Sequence, residues 1–325
     1  MTKGSLMTIA TPPRPAGASR QPPTIGPPEL AIEVERLQKR YGKKLAVRDS
    51  SFSVARGEIF AILGPNGAGK TTTVEVLQGL RAADGGLIRV LGLDPQRDRR
   101  ELRRRIGSQL QASALPDRMK VWEALDLFGS LTAGGGNWPA VPERWGLADQ
   151  RNTAFGDLSG GQRQRLFVAL ALLGSPEVVF LDELTQGLDP AARRVAWGLI
   201  REIRDRGATV VLVTHYMDEA EQLADRLAVI DQGRVVVTGT AQELITRCRD
   251  GIRVRFSTDR PEISFLEAID GVREVTRRGP HVEVHGSGPL LALIGAALVE
   301  HGIVPADLRV QQPTLEDAYM QLLNH

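Results

Sequence analysis

The segment Gly64-Pro65-Asn66-Gly67-Ala68-Gly69-Lys70-Thr71, followed by Thr72, fits the pattern G-x-x-x-x-G-K-[ST]. Its chemistry is phosphate capture. Glycines let backbone N–H groups turn inward around phosphate oxygens, and a helix starting there adds a favourable dipole. Lys70 would reach the β- and γ-phosphates, and Thr71 would ligate Mg²⁺. A second group is the apolar run Val178, Val179, Phe180, Leu181 ending in Asp182 and Glu183. Downstream of a phosphate loop, Asp182 would hold the Mg²⁺ shell and Glu183 could polarise an attacking water. Alone, two acids after a strand read equally well as a solvated loop. The third group is Leu158-Ser159-Gly160-Gly161-Gln162, whose plain reading is a helix start capped by Ser159.

These groups need elements to hold them. Residues 59–63 (IFAIL) are a continuous apolar run, the mark of a buried strand, and 71–80 read as a helix. Strand, glycine loop and helix is the context a phosphate loop requires. Residues 31–37 and 49–54 alternate like strands. Residues 121–131 and 160–173 read as helices, with a Gly/Pro-rich break at 133–142. Strands are predicted at 178–181 and 209–213, and a hairpin over 226–230 and 234–237 across Asp231-Gln232-Gly233. Such alternation implies an α/β domain with a mostly parallel sheet.

A basic helix is predicted between Arg97 and Arg105, with Asp98 and Glu101 among its arginines. It reads as a solvated face, since no aromatic side chains interleave to stack on bases. Near 249–251 the pattern resets. Strands at 252–256, 272–276, 281–284 and 304–310 and helices at 261–268 and 290–300 give the order βαββαβ, with a last helix at 315–323. That order predicts a small ferredoxin-like domain. His281, Glu283 and His285 would share one strand face, read as solvated rather than as a metal site.

With 325 residues, a formal charge of +2 and 42% hydrophobic residues, the chain reads as a soluble globular protein of two domains. Collagen-like, wholly disordered and disulfide-scaffold classes are excluded. The lone Cys248 reads as a small buried hydrophobe and fits a reducing compartment. Residues 1–29, rich in proline, read as a disordered tail. No apolar run reaches a membrane span, and the N-terminus has no apolar stretch of the kind a signal peptide carries.

LSGGQ between a phosphate loop and an apolar strand ending in Asp-Glu resembles the arrangement of ATP-binding-cassette (ABC) ATPases, over roughly residues 30–240. The resemblance implies an α/β fold, a P-loop ABC ATPase core with a helical subdomain at 30–245, and a small α+β domain at 250–325. It implies ATP and Mg²⁺ as ligands. Tyr41 would stack on adenine. Gln111, favoured over Gln109 by its spacing from Ile106-Gly107, would meet Mg²⁺ and the attacking water. Asp189 would cross a dimer interface, and His215 would contact the γ-phosphate. Glu183, His215, Lys70 and Gln111 would be the catalytic set, with Thr71, Gln111 and Asp182 at the metal. In the family two cassettes bind head to tail, so Ser159, Gly160, Gly161 and Gln162 would complete the opposite protomer's site.

The same resemblance implies a homodimer that drives a separate multi-span membrane permease. The chain itself would be cytoplasmic and peripheral on the inner face of the cell membrane. Two departures stand out. Leu184 takes the place of the family's usual proline, removing a fixed φ. The segment from Gln111 to Leu158 is short, with glycines at 134–136. Residues 311–319 (QQPTLEDAY) are similar to the closing helix of daunorubicin-resistance-type exporter cassettes, and also read as an amphipathic helix burying Leu315, Tyr319 and Leu322. The expected function is therefore ATP hydrolysis that powers an exporter. The alternative is a soluble cassette ATPase acting on nucleic acid or ribosomes. It has only the 97–105 arginines in its favour and lacks paired cassettes or coiled-coil insertions, so nucleic acid is disfavoured as a partner. A non-catalytic scaffold is disfavoured because every chemical group is present.

Overall fold

Continuous apolar runs are covered on both faces when they become parallel strands. In a computed structural model, described over residues 29–109, 115–132, 138–247 and 251–323, that is their fate. Gln111, Cys248, the 134–136 glycines and the tail at 1–28 lie outside the described residues. The long strands β1 (Leu30–Tyr41) and β2 (Lys44–Ala55) form an antiparallel hairpin. β3 (Ile59–Leu63) leads through the glycine loop into α1 (Lys70–Leu77), and β4 (Gly85–Val90) returns to pair with β1. The predicted basic helix is only α2 (Arg99–Leu102), because the chain enters β5 (Ile106–Gln109) within four residues.

The helical subdomain contains α3 (Val121–Leu131), α4 (Val141–Arg144) and α5 (Gly160–Ala171). The chain then alternates through β6 (Val178–Asp182), α6 (Pro190–Asp205), β7 (Thr209–Thr214) and α7 (Met217–Leu223). The hairpin β8 (Arg226–Asp231) and β9 (Arg234–Gly239) and the helix α8 (Ala241–Arg247) follow. The main sheet has the order β5-β6-β7-β3-β8-β9, parallel except for β9.

Every residue of β3, β6 and β7 is buried. Phe60, Ile62, Val211 and Val213 face the antiparallel sheet and α1, packing on Ile32, Leu37, Val54 and Leu77. Phe52 stacks on Phe60 with ring centroids 5.6 Å apart. Ile59, Val179, Leu181 and Leu212 face the other way, toward Leu125, Leu166 and Ile200 of the helical side. The sheet is thus clamped from two sides, and its strand tips end at one edge.

The third sheet is antiparallel, in the order β11-β12-β10-β13, from β10 (Ile252–Ser257), β11 (Val272–Arg278), β12 (His281–Gly286) and β13 (Arg309–Gln311). This is the ferredoxin-like strand order. α9 (Leu290–Glu300) packs Leu290, Ile294 and Leu298 against Val254, Phe256, Val282 and Val284. The helix predicted over 261–268 is a short 3-10 stretch, Ser264–Ala268. The strand predicted over 304–310 pairs only from Arg309, since Pro305 has no N–H for a ladder and Val304 is left exposed. The last helix, α10 (Leu315–Leu323), turns away from this sheet. Its Leu315, Ala318 and Tyr319 share a core with Ala61, Leu63, Leu227 and Val229 of the main sheet. Among the described residues no helix is long and apolar enough to cross a membrane.

Candidate functional site

The glycine loop sits where β3 ends, and its shape is set by what touches it. A Cβ on Gly64 would lie 2.1 Å from the carbonyl oxygen of Ile230, and one on Gly69 would lie 2.5 Å from that of Ala46. Gly67 and Gly69 also have φ of 81° and 103°, which side chains other than glycine rarely adopt. The β8–β9 turn braces the loop. Gly233 N–H donates to Ala68 O at 2.8 Å, and Arg48 N–H donates to Gly233 O at 2.6 Å. Sequence reading takes Asp231-Gln232-Gly233 as a plain hairpin turn, because its role depends on contacts far away in the chain.

Lys70 is 5% exposed and folds back, donating to Gly64 O at 2.7 Å and Pro65 O at 3.1 Å. Burial pushes its ammonium pKa down, while Glu183 and Asp182 pull it up. Asp182 is 3% exposed at the tip of β6. Burial and the neighbouring Glu183 push its pKa up to about 6, against a hydrogen bond from Thr71 and the charge of Lys70. Among the described residues its buried Oδ1 has no hydrogen-bond partner. An orphaned carboxylate oxygen beside a threonine hydroxyl is a donor set that fits a hard divalent cation.

Glu183 follows in the left-handed region at φ 50°, rare for a residue with a side chain. Its N–H donates to Val213 O at 2.9 Å, which holds the turn in place. Oε1 of Glu183 lies 3.2 Å from Nδ1 of His215, just past β7. Leu184, in the place of a proline, is 1% exposed and packed in the helical-side core. Burial anchors this turn instead of a fixed φ. Behind it lies Glu219, fully buried on α7 and accepting from Trp197 Nε1 at 3.1 Å. Sequence reading passes over Glu219, since one acid in a helix gives no sign of being buried.

Lys70, Thr71, Asp182, Glu183 and His215 are therefore linked by contacts or close charges. The other predicted residues lie outside that set. Ser159 caps α5 by accepting from Gln162 N–H at 3.3 Å, and Gln162 Oε1 accepts from Ser159 N–H at 2.8 Å. A Cβ on Gly160 or Gly161 would meet nothing within 4 Å. Asp189 caps α6, accepting from Ala191 and Ala192 N–H at 2.8 and 2.9 Å. Tyr41 is 39% exposed, its ring flanked by Lys39 and Arg81, each 5.5 Å from the centroid. Gln109 is buried at the end of β5. The face of His281, Glu283 and His285 forms no metal-ligating group among the described residues.

Residues 47–186 match the ABC transporter family. The daunorubicin resistance ATP-binding protein DrrA3 of Streptomyces coeruleorubidus is 38% identical, over 90% of this chain and 96% of its own length. The Nod factor export ATP-binding protein I of Ralstonia nicotianae is 36% identical, over 93% of this chain and 97% of its own. A solved ATP-binding subunit of an ABC transporter superposes with a TM-score of 0.61 at 27% identity, covering 67% of this chain and 92% of that one.

Proposed function

This chain belongs to the ABC transporter family of ATP-binding proteins, and from that premise we propose that it hydrolyses ATP to power an exporter whose membrane-spanning part is a separate permease. The observation that carries the reading is the convergence of Lys70, Asp182, Glu183 and His215 at the carboxyl ends of β3, β6 and β7, with the signature glycines left open. Two chains head to tail would bring Ser159, Gly160 and Gly161 of each onto the nucleotide of the other.

The geometry of the described residues supports a division of labour, with Gln111 entering it from the resemblance alone. Glycine-loop N–H groups and Lys70 bind the β- and γ-phosphates. Thr71, Asp182 and Gln111 would hold Mg²⁺, which when bound offsets the phosphate charge. Lys70 leaves its loop carbonyls to do so, exchanging neutral partners for anionic ones. Glu183 orients and polarises the attacking water, and His215 steadies Glu183 while reaching toward the γ-phosphate. Tyr41 offers a ring to the adenine in exchange for a flanking cation. Resistance and export in the relatives' names support outward transport, which would make this chain a cytoplasmic subunit on the inner face of the membrane.

The test is Glu183→Gln. It should keep ATP affinity and lose about 10²–10⁴-fold in turnover, the usual worth of a general base. Trapped with ATP and Mg²⁺ in solubilised membranes, a tagged Glu183→Gln chain should co-purify with a multi-span membrane protein. Undiminished turnover would end the assignment of Glu183. Recovery of ribosomes or nucleic acid alone would move the chain to the soluble cassette class.

A further inference from the structure

The outer face of the four-stranded sheet carries chemistry that ATP hydrolysis does not use. α9 covers one face, and the other forms a groove of about 630 Å³ lined by Arg253, Arg255, Arg278, Arg309, His281 and His285 together with acids. That volume lies within the range of small-ligand sites, roughly 300–1,000 Å³. The acids of the groove are already engaged. Glu283 accepts both prongs of Arg255 at 2.9 and 3.1 Å and lies 3.0 Å from His285 Nε2. Asp307 accepts from Ser257 N–H and hydroxyl at 2.8 and 2.7 Å. Outside the lining, Asp317 of α10 pairs with Arg253 at 2.8 Å. Arg278 and Arg309 are exposed and make no ion pair or side-chain hydrogen bond among the described residues, with the Asp307 carboxylate close enough to Arg309 to feel its charge.

The register brings two of these guanidinium groups together. Arg255 on β10 and Arg309 on β13 are direct cross-strand partners. Glu283 pairs with Arg255 and offsets part of the like-charge repulsion across this pair, and a bound anion between the two strands would offset the rest. The guanidinium forks match phosphate and carboxylate oxygens in pairs. The aromatic ring in the lining, Phe256, is 1% exposed, so no platform stacks a base. Val282, the lining's aliphatic residue, is equally buried, so no apolar anchor stands beside the cations to enter a bilayer.

We propose that this groove is a second ligand site, distinct from the nucleotide site, that takes a small, multiply charged phosphorylated molecule. The inference stands on the C-terminal sheet alone and survives even if the export reading fails.

Inorganic pyrophosphate is the probe, measured by equilibrium dialysis against the full chain carrying Lys70→Ala, which weakens the glycine loop as a competing phosphate site. The expected result is saturable binding of one pyrophosphate per chain. Adding Arg278→Ala and Arg309→Ala should weaken it by about tenfold or more, as two charge-assisted contacts are lost. Arg278→Lys with Arg309→Lys should restore part of it, and no variant should melt at a lower temperature than the parent. No saturable binding, or binding indifferent to the alanine pair, would overturn the proposal. So would a chain that ignores pyrophosphate but binds phosphatidylglycerol vesicles or duplex DNA through these arginines, since the face would then be a macromolecular surface.

Discussion

The two glycine-rich loops differ in what their missing side chains make room for. At Gly64 and Gly69 the room is taken by this chain's own carbonyl oxygens, from Ile230 and Ala46. At Gly160 and Gly161 it is left empty. Internal packing therefore explains Gly64 and Gly69 of the first loop, where Gly67 is set by its φ of 81°, and says nothing about glycine in the second. A residue type that the fold does not need is one that something outside the fold can use. Comparing the loops separates the half of the site a chain builds for itself from the half it would lend to another.

The largest expected effect falls on the lent half. Gly160→Ala with Gly161→Ala should not lower the melting temperature yet should lower ATPase activity by about 10²-fold, as the added methyl groups hold the backbone N–H donors away from the partner's nucleotide. Mixing that variant with Lys70→Ala should recover part of the activity, because one composite site in the mixed dimer is then intact. If mixing restores nothing, the head-to-tail reading is wrong. Gly64→Ala should do the reverse. It forces a shift against backbone and should cost about 1–3 kcal/mol in chemical denaturation before any nucleotide is added. An unchanged denaturation midpoint would remove the contrast between the loops.

A smaller effect concerns charge in the self-built half. Asp182 has a folded-state pKa of about 6, above its ordinary value. The folded chain holds that proton where the unfolded chain has released it, so stability falls as pH rises between about 4 and 6. Asp182→Asn should therefore raise nucleotide-free stability at pH 7 by about 1–3 kcal/mol and make no difference near pH 4. Thermal melts across that range would show it, and a gain independent of pH would rule the charge out as its cause. The smallest effect is Ser159→Ala, which should cost about 1 kcal/mol as the cap of α5 is lost. A larger drop would mean that the signature loop serves its own fold after all.

Much of the frame was legible in the sequence. β3, β6 and β7 follow from apolar runs, and α3 and α9 from periodic ones, since burial on both faces or on one leaves a direct trace in residue type. α6 is legible from its cap and its stripe together. Asp189-Pro190 is a strong helix start, and Ala196, Ile200 and Ile203 recur at helical spacing with Arg193, Arg194, Arg201 and Arg204 on the other faces. β4 was hidden because Gly85 and Gly86 open it. The motifs marked which residues carry chemistry, but not how they are held. The left-handed turn at Glu183, the bracing by Gly233 and the burial of Leu184 depend on contacts between distant segments, which no local pattern encodes.

The path of α10 has a consequence for anyone taking the molecule apart. Because its Leu315 and Tyr319 sit in the core beneath β3 and β8, the antiparallel sheet is an insertion between α8 and α10 rather than an appendage. One cut by a protease after α8 would leave the sheet tethered through that helix, and a stop codon at the same place would strip the core of its lining. Removing the sheet cleanly takes two cuts and a splice that rejoins α8 to α10.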